Sequence, residues 1–196
     1  MRFANVSGRL NVVTGSGAVV DIAEASGGRV GGSVQDAYAE VELVVVIGRG
    51  GHRIATEDAW SHVAGLSVGQ DLSERDRQQM GPTPQWSMAK SFPGFSPVGP
   101  LLVTPDEFDD PDDLELGCLL NGEEMQKGRT ADMVFPVPEL IARLSAVTPL
   151  LPGDVLFTGT PPGVGVWRTP QRFLAPGDEL VSYVHGIGEM RHVMTA

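Results

Sequence analysis

Glu40-Val41-Glu42-Leu43-Val44-Val45-Val46-Ile47 is the stretch that decides how this chain folds. The unbroken apolar run from Leu43 to Ile47 is rich in β-branched valine and stops at Gly48, so it reads as a buried β-strand. Side chains alternate along a strand, which points Glu40 and Glu42 to one face, where they can close on a single cation. Two bare carboxylates beside an apolar strand repel each other, and burial penalises each charge further. A hard divalent metal relieves both costs.

Outward from that strand the chain is heavily punctuated. Twenty-five glycines and 15 prolines suit many short strands joined by tight turns. Asn121-Gly122 lies between Leu116-Gly117-Cys118-Leu119-Leu120 and the residues from Glu123 to Gln126. Both turn residues tolerate positive φ, so the pair predicts a hairpin. Leu151-Pro152-Gly153-Asp154 and Ala175-Pro176-Gly177-Asp178 predict two turns of one type, each leading into a strand, residues 155–158 and 179–184. The acidic segment 106–113 reads as a solvated turn.

Helical signals are few. Thr56 is placed to cap a helix with Glu57 and Asp58 in its first turn and Gly65 at its end. Pro138 opens a second, with Leu140, Ile141, Leu144 and Val147 as its apolar stripe. Ser73-Glu74-Arg75-Asp76 has the capping-box form and starts a third, short one. That helix sets Arg75 and Gln78 three residues apart on one face, just after Asp71.

At 196 residues the chain supports one domain with a substantial core. A hydrophobic fraction of 41% and a charged fraction of 20% are those of an ordinary globule. A formal charge of −11 argues against nucleic acid as a partner, because phosphate binding needs clustered Lys and Arg. No apolar run of about 18 residues occurs and no basic-then-apolar leader opens the chain, so the expectation is a cytoplasmic protein without membrane insertion. The single cysteine, Cys118, fits a reducing compartment and reads as a small buried hydrophobe rather than a nucleophile.

Glu40, Glu42 and Asp71 together offer three oxygen ligands, a set typical of a Mg²⁺, Mn²⁺ or Ca²⁺ site that leaves positions for water or substrate. A Glu-x-Glu pair also occurs on solvated strand faces, and Asp71 alone reads equally well as the approach to a helix. The surrounding text separates these readings. The run from Glu40 through Ile47-Gly48-Arg49 resembles the first signature of the fumarylacetoacetate hydrolase family. The resemblance continues in order through residues 65–78, Lys90-Ser91-Phe92, Pro97-Val98-Gly99-Pro100, Asn121-Gly122-Glu123 with Gln126, and residues 152–161.

That resemblance implies a mainly β fold with a few short helices, a mixed β-sandwich roll of the family's C-terminal-domain type, spanning residues 33–196 behind a small N-terminal strand segment, residues 1–32. It implies Mg²⁺ or Mn²⁺ held by Glu40, Glu42 and Asp71, with Arg75, Gln78, Lys90 and Thr160 lining the pocket of a 2-oxo or β-diketo acid, and a homodimer. A lysine in Met88-Ala89-Lys90-Ser91-Phe92 is by default a solvated surface cation. Beside three carboxylates Lys90 would stay charged and grip substrate oxygen as the catalytic cation. A 2-oxo acid can chelate such a metal, whose Lewis acidity favours the enolate. Preorganised donors of that kind contribute about 3–4 kcal/mol each.

The leading expectation is hydrolysis of a C–C bond in an acylpyruvate-like diketo acid. Decarboxylation or isomerisation of a 2-oxo acid, of the aromatic-catabolism type, uses the same enolate. A third reading is a catalytically impaired metal- or metabolite-binding member. Hydrolytic members carry a His and a Glu on a lid upstream of the Glu-x-Glu strand, whereas here Gly27-Gly28-Arg29-Val30-Gly31-Gly32-Ser33 runs almost directly into Ala39-Glu40. His52, His62, His185 and His192 read as surface or structural residues, the last two on C-terminal strands. Trp86, Trp167 and Phe173 are the apolar candidates for the acyl side of the pocket, and serve equally as core or dimer contacts.

Overall fold

The computed structural model describes residues 2–6, 9–13, 19–21, 37–84 and 86–195. The short link before Glu40, on which the lid expectation turns, lies outside the described residues apart from its last few. The first three strands, β1 (Arg2–Val6), β2 (Arg9–Val13) and β3 (Val19–Asp21), form an antiparallel sheet in that order.

The strands that follow are β4 (Ala37–Tyr38), β5 (Val41–Ile47), β6 (Val63–Gln70), β7 (Ser73–Glu74) and β8 (Val98–Val103). After them come β9 (Glu115–Leu120), β10 (Glu123–Arg129), β11 (Val155–Phe157), β12 (Glu179–Val184) and β13 (Gly188–Val193). Two four-stranded sheets result, ordered β11-β5-β6-β8 and β10-β9-β12-β13, with β4 and β7 as a two-stranded ladder. The mainly β fold with few helices is as expected, and every ladder among the described residues is antiparallel.

Strand β5 has neighbours on both edges and apolar contacts on both faces. Val41, Leu43, Val45 and Ile47 enter the core, and Val44 on the opposite face is equally buried. Val44 packs where Gly69 of β6 leaves room, since a β-carbon on Gly69 would meet its side chain at 2.4 Å. A strand covered on both faces needs a continuous apolar run rather than strict alternation, which is the pattern seen.

The turn chemistry follows the sequence closely. Asn121 and Gly122 both adopt positive φ, 53° and 83°, and join β9 to β10. In each Pro-Gly-Asp turn the glycine takes φ near +90° and the aspartate carboxylate accepts the amide three residues back, Leu151 N at 2.7 Å and Ala175 N at 2.8 Å.

The helices depart from expectation at their ends and faces. The segment at Thr56 is a 3-10 turn, Thr56–His62, with no side-chain cap; β6 begins at Val63, and Gly65 lies inside that strand. Ladder bonding to β5 and contact with Leu102 claim these residues, and a helix cannot continue through them. Helix α1 (Arg75–Gln79) is capped by Glu74, whose carboxylate accepts from Asp76 N and Arg77 N, and not by Ser73. The Ser73 hydroxyl is drawn instead to Glu40 Oε2, 3.2 Å away.

Helix α2 (Val137–Val147) opens at its prolines as expected, but its buried face is Val137, Ile141 and Ser145. Leu144 and Val147, assigned to the inner stripe, are exposed. A polar anchor turned the helix: Ser145 Oγ accepts Ile54 N at 2.9 Å and Ser145 O accepts Arg53 N at 2.9 Å.

Candidate metal centre

Glu40 precedes β5 and Glu42 is its second residue; both side chains are buried. The β5–β6 register pairs Val41 with Gln70 and Glu42 with Gly69, so β6 delivers Asp71 beside them. One backbone bond extends that ladder, Asp71 N to Glu40 O at 2.9 Å. One oxygen of each carboxylate then lies within 4.8 Å of the others. An all-oxygen set at this spacing could hold a hard divalent cation. The donor chemistry therefore fits Mg²⁺ or Mn²⁺.

The cations expected from the sequence converge on the same three groups. The Arg75 guanidinium pairs with Glu40 Oε1, donates to Gln78 Oε1 at 2.7 Å and lies over the Tyr38 ring, 5.6 Å from its centroid. Lys90 Nζ donates to Asp71 Oδ2 and, at 3.2 Å, to Glu40 Oε2. Gln78 is fully buried and its Nε2 has no hydrogen-bond partner, which leaves an open donor next to Arg75.

Burial pushes the Glu42 carboxyl up to about 7, reinforced by the Asp71 and Glu40 charges and opposed by the Gly159 amide and Lys90. Burial alone would lower Lys90, yet the Asp71 hydrogen bond and the Glu40 and Asp71 charges raise it, so the ammonium holds its proton. Gly159 N donates to Glu42 Oε2 at 2.7 Å.

Thr160 sits next to this contact, with its hydroxyl committed to the backbone. It donates to Val41 O and accepts from Gln126 Nε2, each at 2.8 Å. Five supporting residues were not read as site residues from the sequence: Tyr38 under Arg75, Gln70 and Ser73 bonded to Glu40, Gly159 bonded to Glu42, and Gln126. Tyr38 and Glu40 share i,i+2 spacing, a weak signal; Gln70, Ser73, Gly159 and Gln126 all lie within the stretches that carry the family resemblance.

The remaining candidates lie apart from the cluster. Phe173 stacks on Tyr38, ring centroids 4.6 Å apart, whereas Trp86 and Trp167 are exposed. His62 is buried against Arg49, and His192 lies in β13 with its protonation disfavoured by burial. His185 occupies the turn after β12 rather than a strand, because Gly186 and Gly188 take positive φ there. Burial raises the Cys118 thiol to about 12, which agrees with an inert hydrophobe. A cavity of about 520 Å³, lined by Leu43, Lys127, Arg129 and Phe135, shares Gly159 and Thr160 with the site but none of its carboxylates. Among the described residues no helix is long and apolar enough to cross a membrane.

The chain is similar to proteins of known sequence and structure. Human mitochondrial oxaloacetate tautomerase FAHD2A is 48% identical over 149 residues, 76% of this chain and 48% of its own length. The chain thus spans about half the length of the curated relatives it matches. A crystal structure of a candidate HpcE protein from Mycobacterium smegmatis superposes with a TM-score of 0.81 at 42% identity, covering all of both chains. Fumarylpyruvate hydrolase from Pseudomonas aeruginosa, solved with Mn²⁺ and pyruvate, gives 0.72 at 32% identity over 81% of this chain and 66% of that one. The C-terminal profile of fumarylacetoacetate (FAA) hydrolase matches residues 5–195, and with it the chain belongs to the fumarylacetoacetate hydrolase family.

Proposed function

We propose that this chain is a divalent-metal enzyme that enolises a small 2-oxo acid, interconverting its keto and enol or isomeric forms. The observation that carries this reading is the packing of three carboxylates against two cations and an open amide donor. Glu40, Glu42 and Asp71 are the proposed ligands of Mg²⁺ or Mn²⁺. When bound, the ion supplies Lewis-acid polarisation of the 2-oxo group.

The remaining work falls to this chain's own side chains. With the carboxylates engaged, the Arg75 guanidinium is free to take the substrate carboxylate in a forked contact. Gln78 Nε2 adds a neutral donor beside it. Lys90 Nζ, which keeps its proton, donates to the oxygen that gains negative charge, and an interaction stronger there than in the ground state is what raises the rate. Thr160 and Gly159 form the wall behind Glu42.

Hydrolysis of an acylpyruvate is the second reading, favoured by the hydrolase solved with Mn²⁺ and pyruvate. It needs an activated water in addition to the same oxyanion contacts. Three assays on the purified chain with Mg²⁺ or Mn²⁺ separate the outcomes: the ultraviolet change of keto–enol conversion of oxaloacetate, pyruvate release from an acylpyruvate, and CO₂ release. Enol conversion without cleavage supports the first reading; pyruvate release at comparable rates replaces it with the second. Metal binding by calorimetry with no turnover on any of these leaves a binding protein. A homodimer belongs to the proposal, and its mass in solution tests it.

A further inference from the structure

We propose that Gln126 is a positioning residue that sets the spacing of the two glutamates by clamping the peptide between them. The proposal rests on the metal reading of Glu40 and Glu42. Gln126 lies on β10, in the sheet opposite β5, and is buried. A bulge in the β9–β10 ladder between Glu124 and Gln126 breaks the register beside it, a common device for re-aiming a side chain next to a site.

The clamp answers an accounting problem in β5. Strand β11 pairs with Val46, Val45 and Val44 and then ends at Phe157, so the outer edge of β5 has no strand partner at Leu43 and Val41. Buried backbone groups must be paired nonetheless. Thr158 N and Oγ1 serve Leu43 O at 3.2 and 2.9 Å, and Thr160 Oγ1 serves Val41 O at 2.8 Å. The Val41 N–H goes to Gln126 Oε1 at 3.0 Å.

Gln126 Nε2 then donates to Thr160 Oγ1 and Pro161 O, both at 2.8 Å. One amide and one hydroxyl therefore close a ring on both polar groups of Val41, the residue between Glu40 and Glu42. The same loop carries Gly159, whose N–H holds Glu42 Oε2. Two glycines let the loop lie flat on β10: a β-carbon on Gly128 would meet Pro161 at 2.7 Å, and one on Gly163 would meet Met125 O at 2.1 Å.

The test uses Gln126→Met, which keeps volume and removes every hydrogen bond of the clamp. Mn²⁺ alone, titrated by calorimetry, should bind about 10–100-fold more weakly, the usual penalty for losing an outer support of a metal site. Hydrogen exchange of residues 158–161 in the metal-free chain should accelerate about tenfold, while β5 and β6 keep their protection. Thr160→Val should repeat both changes, with Thr160→Ser restoring them, and it carries the test if Gln126→Met does not fold. Ser145→Ala, which removes a buried polar contact elsewhere, should alter neither reading.

Mn²⁺ affinity within twofold of the parent in folded Gln126→Met or Thr160→Val overturns the proposal. So does unchanged exchange of residues 158–161. A parent chain that binds no Mn²⁺ overturns the proposed metal function instead, and exchange alone then decides whether Gln126 pins the loop.

Discussion

Glu42 and Asp178 are two carboxylates shielded from solvent in one chain, and their surroundings push them in opposite directions. Glu42 receives the Gly159 amide but faces Asp71 and Glu40, and burial raises it to about 7. Burial would raise Asp178 as well, yet donors from Asn121, the Ala175 amide and Arg172 outweigh it and hold the carboxyl below its usual range. Those contacts run from 2.6 to 3.0 Å. Buried charge that is fully partnered supports the fold, and buried charge that is crowded is available to bind something.

The sharpest break of that contrast is Glu42→Gln, which keeps an acceptor for Gly159 and removes the charge. Mn²⁺ affinity should fall by more than about 100-fold, measured by calorimetry. The metal-free chain should gain up to about 3 kcal/mol at pH 8, since the relieved shift is from 4.5 to about 7. Loss of metal-free stability would instead make Glu42 a structural partner.

Metal and pH act on the same difference. The stability associated with protonated Glu42 is complete below its ordinary 4.5 and is lost as pH rises through about 7. The Asp178 contribution has the opposite sign, present above the ordinary aspartate range and lost as pH falls through its lowered value. Metal-free melts should therefore weaken from pH 5 to pH 8, and Mn²⁺ at a hundred times its dissociation constant should restore about 2.7 kcal/mol at pH 8.

Asp178→Ala should cost about 2 kcal/mol, because Arg172 and Asn121 lose their common acceptor. Mn²⁺ affinity should stay unchanged. Asp154 occupies the same place in the other Pro-Gly-Asp turn, where its carboxylate accepts Leu151 N. Asp154→Ala should cost only about 0.5–1 kcal/mol. Denaturant melts of the two variants compare one local motif with and without its long-range partners.

Much of the site was legible because its cues are local. Alternation placed Glu40 and Glu42 on one face, and helical spacing placed Arg75 beside Gln78, as their 2.7 Å bond bears out. The failures have a common cause. Ser73 fits a capping box, but a carboxylate 33 residues away holds its hydroxyl, and Glu74 caps the helix instead. Leu144 and Val147 fit an apolar stripe, but the bond from Ile54 to Ser145 turned that face outward. In both places one distant hydrogen bond outweighed a local pattern.

The strand β5, the Asn-Gly hairpin and the Pro-Gly-Asp turns were determined by the sequence alone, since side-chain alternation and φ preferences act over two to four residues. Only the tertiary structure decided what surrounds the glutamates. Asp71 arrives through the β5–β6 register, Gln126 reaches Val41 across 85 residues of chain, and Thr160 across 119. Such contacts depend on which sheets pack and where a strand runs out, and no local period encodes either.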